Sequence, residues 1–597
     1  MLRTRTLASC QAGSPQHRAQ QKSAGMTDKD MTSRPDFARH GRGTGPLRTR
    51  RPIYVDYLPP CNNACPAGEN IQAWLALAQA GEYQAAWQRL IEDNPLPAVH
   101  GRVCYHPCES ACNRNATDST VSIHALERYL GDLALEQGWQ PRYRDRSGGG
   151  RVLVVGAGPS GLSAAYHLTR LGHEVEIRDA GPVAGGMMHF GIPAYRMPRK
   201  ELNAEIRRIE KMGVKITLNH RVEHVLEEKQ AGQFDAVFIA IGAHISKKID
   251  IPAREAGKIL DAVSFLRQAE SGDPPKLGRR VAVYGGGNTA MDAARTAKRL
   301  GVDEAMIIYR RDRASMPAHD FEADEALEEG VKIKWLRTIK EIDQTRFQVE
   351  VMELDENGRP QPTGEIEELE ADALILAVGQ EADTGFLRGI PGLEFNTDGT
   401  VIVGEDMMTG APGIFAGGDM VPSERSVTIA TGHGKKAARY IDGYLRNEPY
   451  QPQEKHPVVG HERLHLWYRT DAPQQDQPEL PLAERLQGFD EIFKGLSDAE
   501  ARFEAQRCLS CGNCFECDGC YGACPEGAVI KLGPGRRYRF DYDRCTGCAV
   551  CYEQCPCHAI EMIPEQQALK KKVSPVDECA DEDLHIAQAE FSGVQPS

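Results

Sequence analysis

The sequence predicts a multidomain α/β protein. Three observations carry that expectation: a length of 597 residues, two glycine-rich strand–turn–helix units, and cysteines confined to the two ends of the chain. At roughly 150 residues per domain, such a length implies about four folding units rather than one core. Hydrophobic residues make up 41% and charged residues 26%, ordinary for a globular chain and unlike a disordered one. A net charge of −14 lacks the basic footprint that binding to a phosphate backbone needs, so nucleic acid is not an expected partner. Eighteen cysteines in so long a chain point to metal rather than to a disulfide scaffold.

Residues 1–51 are rich in Arg, Ser, Gly and Gln and hold no continuous apolar stretch, so 1–52 is expected to be a disordered basic tail. A transit peptide and a start at Met26 or Met31 both fit it. Nothing in it has the form of a secretory signal, which makes the cytoplasm the expected location. The longest uncharged run, Val152 to Thr169, is broken by Gly156, Gly158, Pro159 and Gly161 and reads as strand, turn and helix rather than a membrane span.

Cys514, Cys517, Cys520 and Cys524-Pro525 form one C-x2-C-x2-C-x3-C-P run, and Cys545, Cys548, Cys551 and Cys555-Pro556 form a second. This spacing gives three thiolates to one four-iron cluster and sends the fourth to its neighbour. One cluster is then expected on Cys514, Cys517, Cys520 and Cys555, the other on Cys545, Cys548, Cys551 and Cys524. Zinc is the alternative for any single C-x2-C pair, but two complete copies disfavour it. Residues 113 to 507 contain no cysteine. The redox pair that a disulfide reductase needs beside its flavin is therefore missing.

Arg151 to Val155 is a short β-branched run that leads into Gly156-Ala-Gly158-Pro-Ser-Gly161 and a helical stretch, and Asp179 ends the next strand, Glu174 to Arg178. Glycines there let backbone N–H groups approach a pyrophosphate, and Asp179 is expected to hold a ribose hydroxyl. A second unit runs from Arg280 through Gly285-Gly-Gly287-Asn288-Thr-Ala290 to a strand at Ala305–Tyr309 that ends in Arg310-Arg311. Arginines in place of an acid suit the 2′-phosphate of NADP; two solvated arginines are the alternative. The pair of sites suggests bound FAD beside exchangeable NADP(H).

Gly185-Gly186, Gly191-Ile-Pro-Ala-Tyr-Arg-Met-Pro198, Ala377-Val-Gly379-Gln, Gly413-Ile-Phe-Ala-Gly-Gly418-Asp419 and Thr431-Gly-His-Gly-Lys-Lys-Ala437 resemble motifs of bacterial glutamate synthase small chains. The same motifs look like those of the N-terminal part of dihydropyrimidine dehydrogenase and of the large subunit of ferredoxin-NADP transhydrogenase. The match covers about Tyr57 to Leu445. The resemblance implies an FAD domain interrupted by an NADP-binding Rossmann-like domain and resuming near Val401, with Gly186, Gly418 and Asp419 at the flavin.

It also implies an N-terminal helical iron-sulfur domain. Ile71, Trp74, Leu75 and Ala78, then Tyr83, Trp87, Leu90 and Ile91, fall at helical spacing and are expected as core. Around them lie Cys61, Cys65, Cys104, Cys108 and Cys112. By the resemblance, one cluster takes Cys65, Cys104, Cys108 and an oxygen ligand at the position of Glu127, although a solvated helix face explains Glu127 equally well. The family's Arg-Cys-x2-Cys-Gly motif is missing upstream of Cys61, yet Arg507-Cys508-Leu-Ser-Cys511-Gly512 has that form. A displaced half-site is expected, with Cys508 and Cys511 joining Cys61 and Cys112; a vestige or a zinc site is the alternative. Fifteen cysteines then serve four clusters, leaving Cys10, Cys557 and Cys579.

The expected domains are an iron-sulfur domain (53–147), FAD-binding segments (148–275 and 396–447), an NADP-binding domain (276–395), a surface linker (448–496), a 2[4Fe-4S] ferredoxin-like domain (497–563) and a tail (564–597). Ser497 and Glu500 have capping-box spacing and should start the helix that delivers Cys508. The expected activity is NADP(H)-linked electron transfer through FAD and [4Fe-4S] clusters, within a hetero-oligomer, to or from a catalytic partner. A glutamate synthase large chain or a 2-oxoacid:ferredoxin-type oxidoreductase would suit. A self-contained NAD(P)H:ferredoxin oxidoreductase using free ferredoxin, or a non-enzymatic iron-sulfur scaffold, are the alternatives.

Overall fold

A computed structural model describes residues 48–142, 148–247, 251–254, 258–467, 469–533 and 536–565. The expected tails therefore lie outside the described residues up to 47 and beyond 565, as do Cys10 and Cys579.

Near the chain's middle stand two parallel sheets of five strands. The first runs in the order Ile414–Ala416, Ala236–Ile239, Arg151–Val155, Glu174–Arg178 and Lys215–Thr217. Its central strands are continuous apolar runs because helices cover them, and Val152, Leu153, Val154 and Phe238 are fully buried. Helices Pro159–Arg170 and Val427–Arg446 pack against each other on this sheet. The second sheet runs in the order Lys332–Trp335, Glu304–Tyr309, Arg280–Tyr284, Ala373–Leu376 and Lys258–Asp261.

That second sheet begins earlier than the expected boundary at 276. Lys258–Asp261 pairs in parallel with Ala373–Leu376, and Ala262, Phe265 and Leu266 of helix Ala262–Glu270 join the same core. A four-residue edge strand becomes visible only once its distant partner is known. At the other end, Leu387 and Ile390 already pack into the first sheet's core, ahead of the expected return at 396.

In the N-terminal domain, helices Ile71–Gln79 and Tyr83–Leu90 form as their periodicity implies, with Trp74, Leu75 and Leu90 buried against Leu126 and Leu130 of helix Ile123–Glu136. Each such burial stabilises by about 1.5–3 kcal/mol. Ala501 and Ala505 of helix Asp498–Gln506 complete this core from the far end of the chain. The helix starts at Ser497, where both hydrogen bonds of the capping box with Glu500 are made.

Two expectations need correction. The stretch 448–496 is more than a spanning linker: it buries Val459 and Ile492, holds the turn His461–Arg463 and helix Leu482–Arg485, and bonds along the helical domain through Gln475 and Gln477. Its low hydropathy hid these anchors because they are single residues. The end of the supposed basic tail is a strand, Arg50–Tyr54, paired antiparallel with Ile560–Pro564 of the ferredoxin-like module. Arg48 and Arg51 pair there with Glu565, so these arginines serve a fold contact rather than a tail.

Candidate functional site

The first strand turns sharply at Gly156, where φ is 108° and a Cβ would sit 2.4 Å from the Ala240 carbonyl oxygen, so no side chain fits. Gly158 caps helix Pro159–Arg170, and a Cβ there would meet nothing within 4 Å. It faces a cavity of about 1050 Å3. Gly161 packs the helix onto the turn, and Gly186 lies against Gly158. Beside them the Ser160 hydroxyl is buried with no partner among the described residues. An orphaned donor at a helix start above an open glycine is what a phosphate would satisfy.

Asp179 ends its strand as expected, with its carboxylate accepting from Ala157 N and Gly181 N at 2.6 Å each, and it borders the same cavity. Asp419, on the turn Gly418–Met420, faces the cavity from the returning segment. Burial lifts its carboxyl to about 6, with Arg425 opposing.

The second glycine loop repeats the device. Gly285 has a φ of 146° and a Cβ would stand 2.2 Å from Ala377 O, while Gly287 opens onto empty space before helix Asn288–Arg299. Ala290 takes the place of the third glycine and is fully buried. Arg310 is exposed and Arg311 half-buried at the end of Glu304–Tyr309, and both line the cavity. The Arg311 Nε is buried without a partner among the described residues. One continuous space thus holds both glycine loops, Asp179 and Asp419 at one end and the arginines at the other. These residues fit FAD and NADP(H). Sequence reading missed Ser160 and Arg425, which only the fold brings to the loop.

Among the described residues all cysteines are free thiols. Burial pushes the Cys61 thiol well up, and the charges nearest it are Cys508, Cys112 and Cys511. Burial pushes Cys508 up to about 11 and Cys511 to about 12, with the charge of Cys112 adding to both and that of Cys508 adding at Cys511. The four thiols expected from opposite ends of the sequence are therefore together. Cys65, Cys104 and Cys108 form the next group: burial raises all three, and Glu127 adds to the rise at Cys65 and Cys104.

Glu127 is buried and accepts from Asn94 Nδ2 at 2.6 Å, which removes the solvated-face explanation. A second carboxylate, Glu69, accepts from the same amide at 3.1 Å and also borders Cys65; no motif or spacing in the sequence marks it. In the ferredoxin-like module Cys514, Cys520 and Cys517 have Cys555 as neighbour, and Cys545 has Cys524, while Cys551 neighbours Cys545 and Cys548. Cys557 Sγ stands 3.8 Å from Cys555 Sγ, buried. Groups of buried thiols that raise each other's pKa fit a cationic iron core, which would stabilise the thiolates that burial alone opposes.

Together the fold and cavity define a flavin- and pyridine-nucleotide-dependent oxidoreductase. A pyridine nucleotide-disulphide oxidoreductase family model matches residues 139–434. The iron-sulfur domain II of dihydropyrimidine dehydrogenase matches 54–139, and a 4Fe-4S binding domain matches 538–561. The beta subunit of an NADP(+)-dependent formate dehydrogenase from Moorella thermoacetica is 36% identical, over 79% of this chain and 73% of its own. An NADPH-Fe(3+) oxidoreductase beta subunit from Geobacter sulfurreducens is 33% identical, over 77% and 76%. The glutamate synthase [NADPH] small chain of Escherichia coli is 33% identical, over 65% of this chain and 89% of its own.

The chain belongs to the family of NADPH-dependent flavo-iron-sulfur oxidoreductase subunits. It is an FAD-dependent NAD(P)H oxidoreductase with 4Fe-4S domains at both ends. The disulfide chemistry for which the matched family is named does not carry over, since no cysteine lies between residues 113 and 507. Among the described residues no helix is long and apolar enough to cross a membrane.

Proposed function

We propose that this chain distributes electrons between NADP(H) and a partner catalytic subunit in the cytoplasm, through FAD and four [4Fe-4S] clusters. The observation that supports this reading is a series of thiol groups that starts at Cys104, the residue before Tyr105 in the cavity wall, passes through Cys108 to Cys61, Cys112, Cys508 and Cys511, and is followed in the ferredoxin-like module by the exposed Cys517 and Cys548. FAD, when bound, takes two electrons as hydride and returns them singly. This chain's residues do the rest. Gly156, Gly158, Gly161 and Gly186 admit its pyrophosphate, Asp179 and Asp419 bind its hydroxyls, and Gly285, Gly287, Asn288 and Ala290 seat the second nucleotide. Arg310 and Arg311 select its 2′-phosphate, and the sixteen metal ligands are Glu127 and the fifteen cysteines grouped above.

A glutamate synthase large chain or a 2-oxoacid:ferredoxin-type oxidoreductase has the chemistry such a partner needs. Anaerobic reduction by NADPH, followed by spectroscopy of the flavin and clusters and identification of co-purifying polypeptides, tests the proposal. NADPH should outpace NADH, and replacing Arg310 and Arg311 by Ala should cut that preference about tenfold. Full turnover with ferredoxin and no co-purifying protein would favour the self-contained alternative, and an NADH preference would remove the role of the arginines.

A further inference from the structure

The residue after Cys104 does not belong to the nucleotide domain, yet it stands in the wall of the nucleotide cavity. Tyr105 extends from the end of helix Pro97–Val103 across the junction of three domains, and its ring stacks on His319 with centroids 3.8 Å apart and planes at 20°. Its hydroxyl oxygen accepts from Asn288 Nδ2 at 2.7 Å. The orientation of that amide is settled by its other end, because Asn288 Oδ1 accepts the backbone N–H of His319 at 3.1 Å. Asn288 is the first residue of helix Asn288–Arg299, directly after the open Gly287.

The hydrogen-bond inventory leaves one group over. A phenol carries one proton to donate and lone pairs to accept with. The Asn288 amide nitrogen is a donor, and the second polar neighbour, the Arg196 guanidinium, is also a donor only. Arg196 is itself fixed by bidentate bonds to Asp292 at 2.8 and 2.9 Å. Neither neighbour can take the tyrosine proton; the carboxylates of Glu322 and Asp292 are near enough for their charge to act on the phenol, but among the described residues the hydroxyl makes no hydrogen bond to either. Tyr105, Arg196, Asn288 and Gly287 all line the same cavity. A free O–H beside a helix N-terminus and an open glycine faces the place where a diphosphate would lie.

We propose that Tyr105 donates its hydroxyl proton to the diphosphate of bound NADP(H), so that the iron-sulfur domain supplies part of the pyridine nucleotide site. The inference rests on the reading that Gly287 and Arg310-Arg311 seat NADP(H). It makes the residue that follows a proposed cluster ligand a direct contact of the nucleotide, and it ties the nucleotide domain to the helical domain at that point.

The test compares two ligands on the oxidised, FAD-loaded full chain by calorimetry: NADP+, and 2′-AMP, which has the 2′-phosphate but no diphosphate. Tyr105→Phe should weaken NADP+ about tenfold or more, the scale of one hydrogen bond to a charged group, and leave 2′-AMP within twofold. The double variant Arg310→Ala/Arg311→Ala should weaken both ligands. Unchanged NADP+ binding in Tyr105→Phe, with both ligands weakened in the arginine variant, overturns the role of Tyr105 alone. No effect of the arginine variant on either ligand overturns the underlying site as well. Iron and FAD contents are measured on every variant. The ratio of the two affinities within one variant separates a lost contact from a general loss of fold, because misfolding weakens both ligands together.

Discussion

At the residue scale the flavin end of the cavity depends on small groups with space in front of them. A Cβ at Gly158 would meet no protein atom within 4 Å, so Gly158→Val should leave the apoprotein folded and obstruct only what enters the cavity. Asp419 lines the cavity and is lifted to about 6 by burial, with the Arg425 charge opposing and no hydrogen bond to its carboxylate among the described residues. Asp419→Ala should weaken FAD about tenfold or more if the carboxylate bonds a flavin hydroxyl. Both variants should come out of the cell poor in FAD and nearly full in iron, because neither touches a thiol. Iron falling in step with FAD, measured by absorbance and metal analysis, would show that the two kinds of site do not fold independently.

Among the elements, the pair Arg50–Tyr54 and Ile560–Pro564 carries a pH dependence whose sign can be worked out. Hydrogen bonds from Arg51 and Arg48 hold the Glu565 carboxyl at about 2, below its usual 4.5. A carboxylate with a lowered folded pKa adds stability above its unfolded pKa and loses it as pH falls towards the folded value. Solvent on one side screens these pairs, which leaves about 1 kcal/mol. Glu565→Gln should therefore lower the hydrogen-exchange protection of the Arg50–Tyr54 amides about fivefold at pH 7. The gap to the native protein should narrow once the pH drops below about 4.5, and a gap that stays constant would mean that the carboxylate charge contributes nothing.

That element also marks the limit of what the sequence made legible. Both parallel sheets announced themselves, since β-branched runs before Gly156 and Gly285 are local signals. Helix Asp498–Gln506 was readable from Ser497 and Glu500 for the same reason. Arg50–Tyr54, Lys258–Asp261 and the anchors Val459 and Ile492 were not, because each is stabilised by a partner far away in the chain and has no local pattern. Arginines at 48, 50 and 51 looked like a solvated tail, and only the position of Glu565 turns two of them into a fastening.

On the scale of the whole molecule, the gathering of Cys61 and Cys112 with Cys508 and Cys511 joins the two ends across the flavin domain. Helix Asp498–Gln506 belongs to the N-terminal core through Ala501 and Ala505, so deleting it would damage more than one site. Substitution is the cleaner probe. Cys508→Ser/Cys511→Ser should lower iron from about sixteen to about twelve per FAD, as one four-iron cluster is lost. An unchanged count would retire the shared cluster and return the pair to a vestigial role.

The pairing of Arg50–Tyr54 with Ile560–Pro564 also sets a clock on how this protein is made. Its first described strand waits for a partner that lies about five hundred residues later, which at 5–20 residues per second is about 25–100 s of synthesis. Until the ribosome has delivered the last strand, the pair Arg50–Tyr54 and Ile560–Pro564 cannot form, and under the proposed sharing Cys61 and Cys112 still wait for Cys508 and Cys511. On that proposal, iron loading at both places falls at the end of translation, after the nucleotide domains have had time to fold.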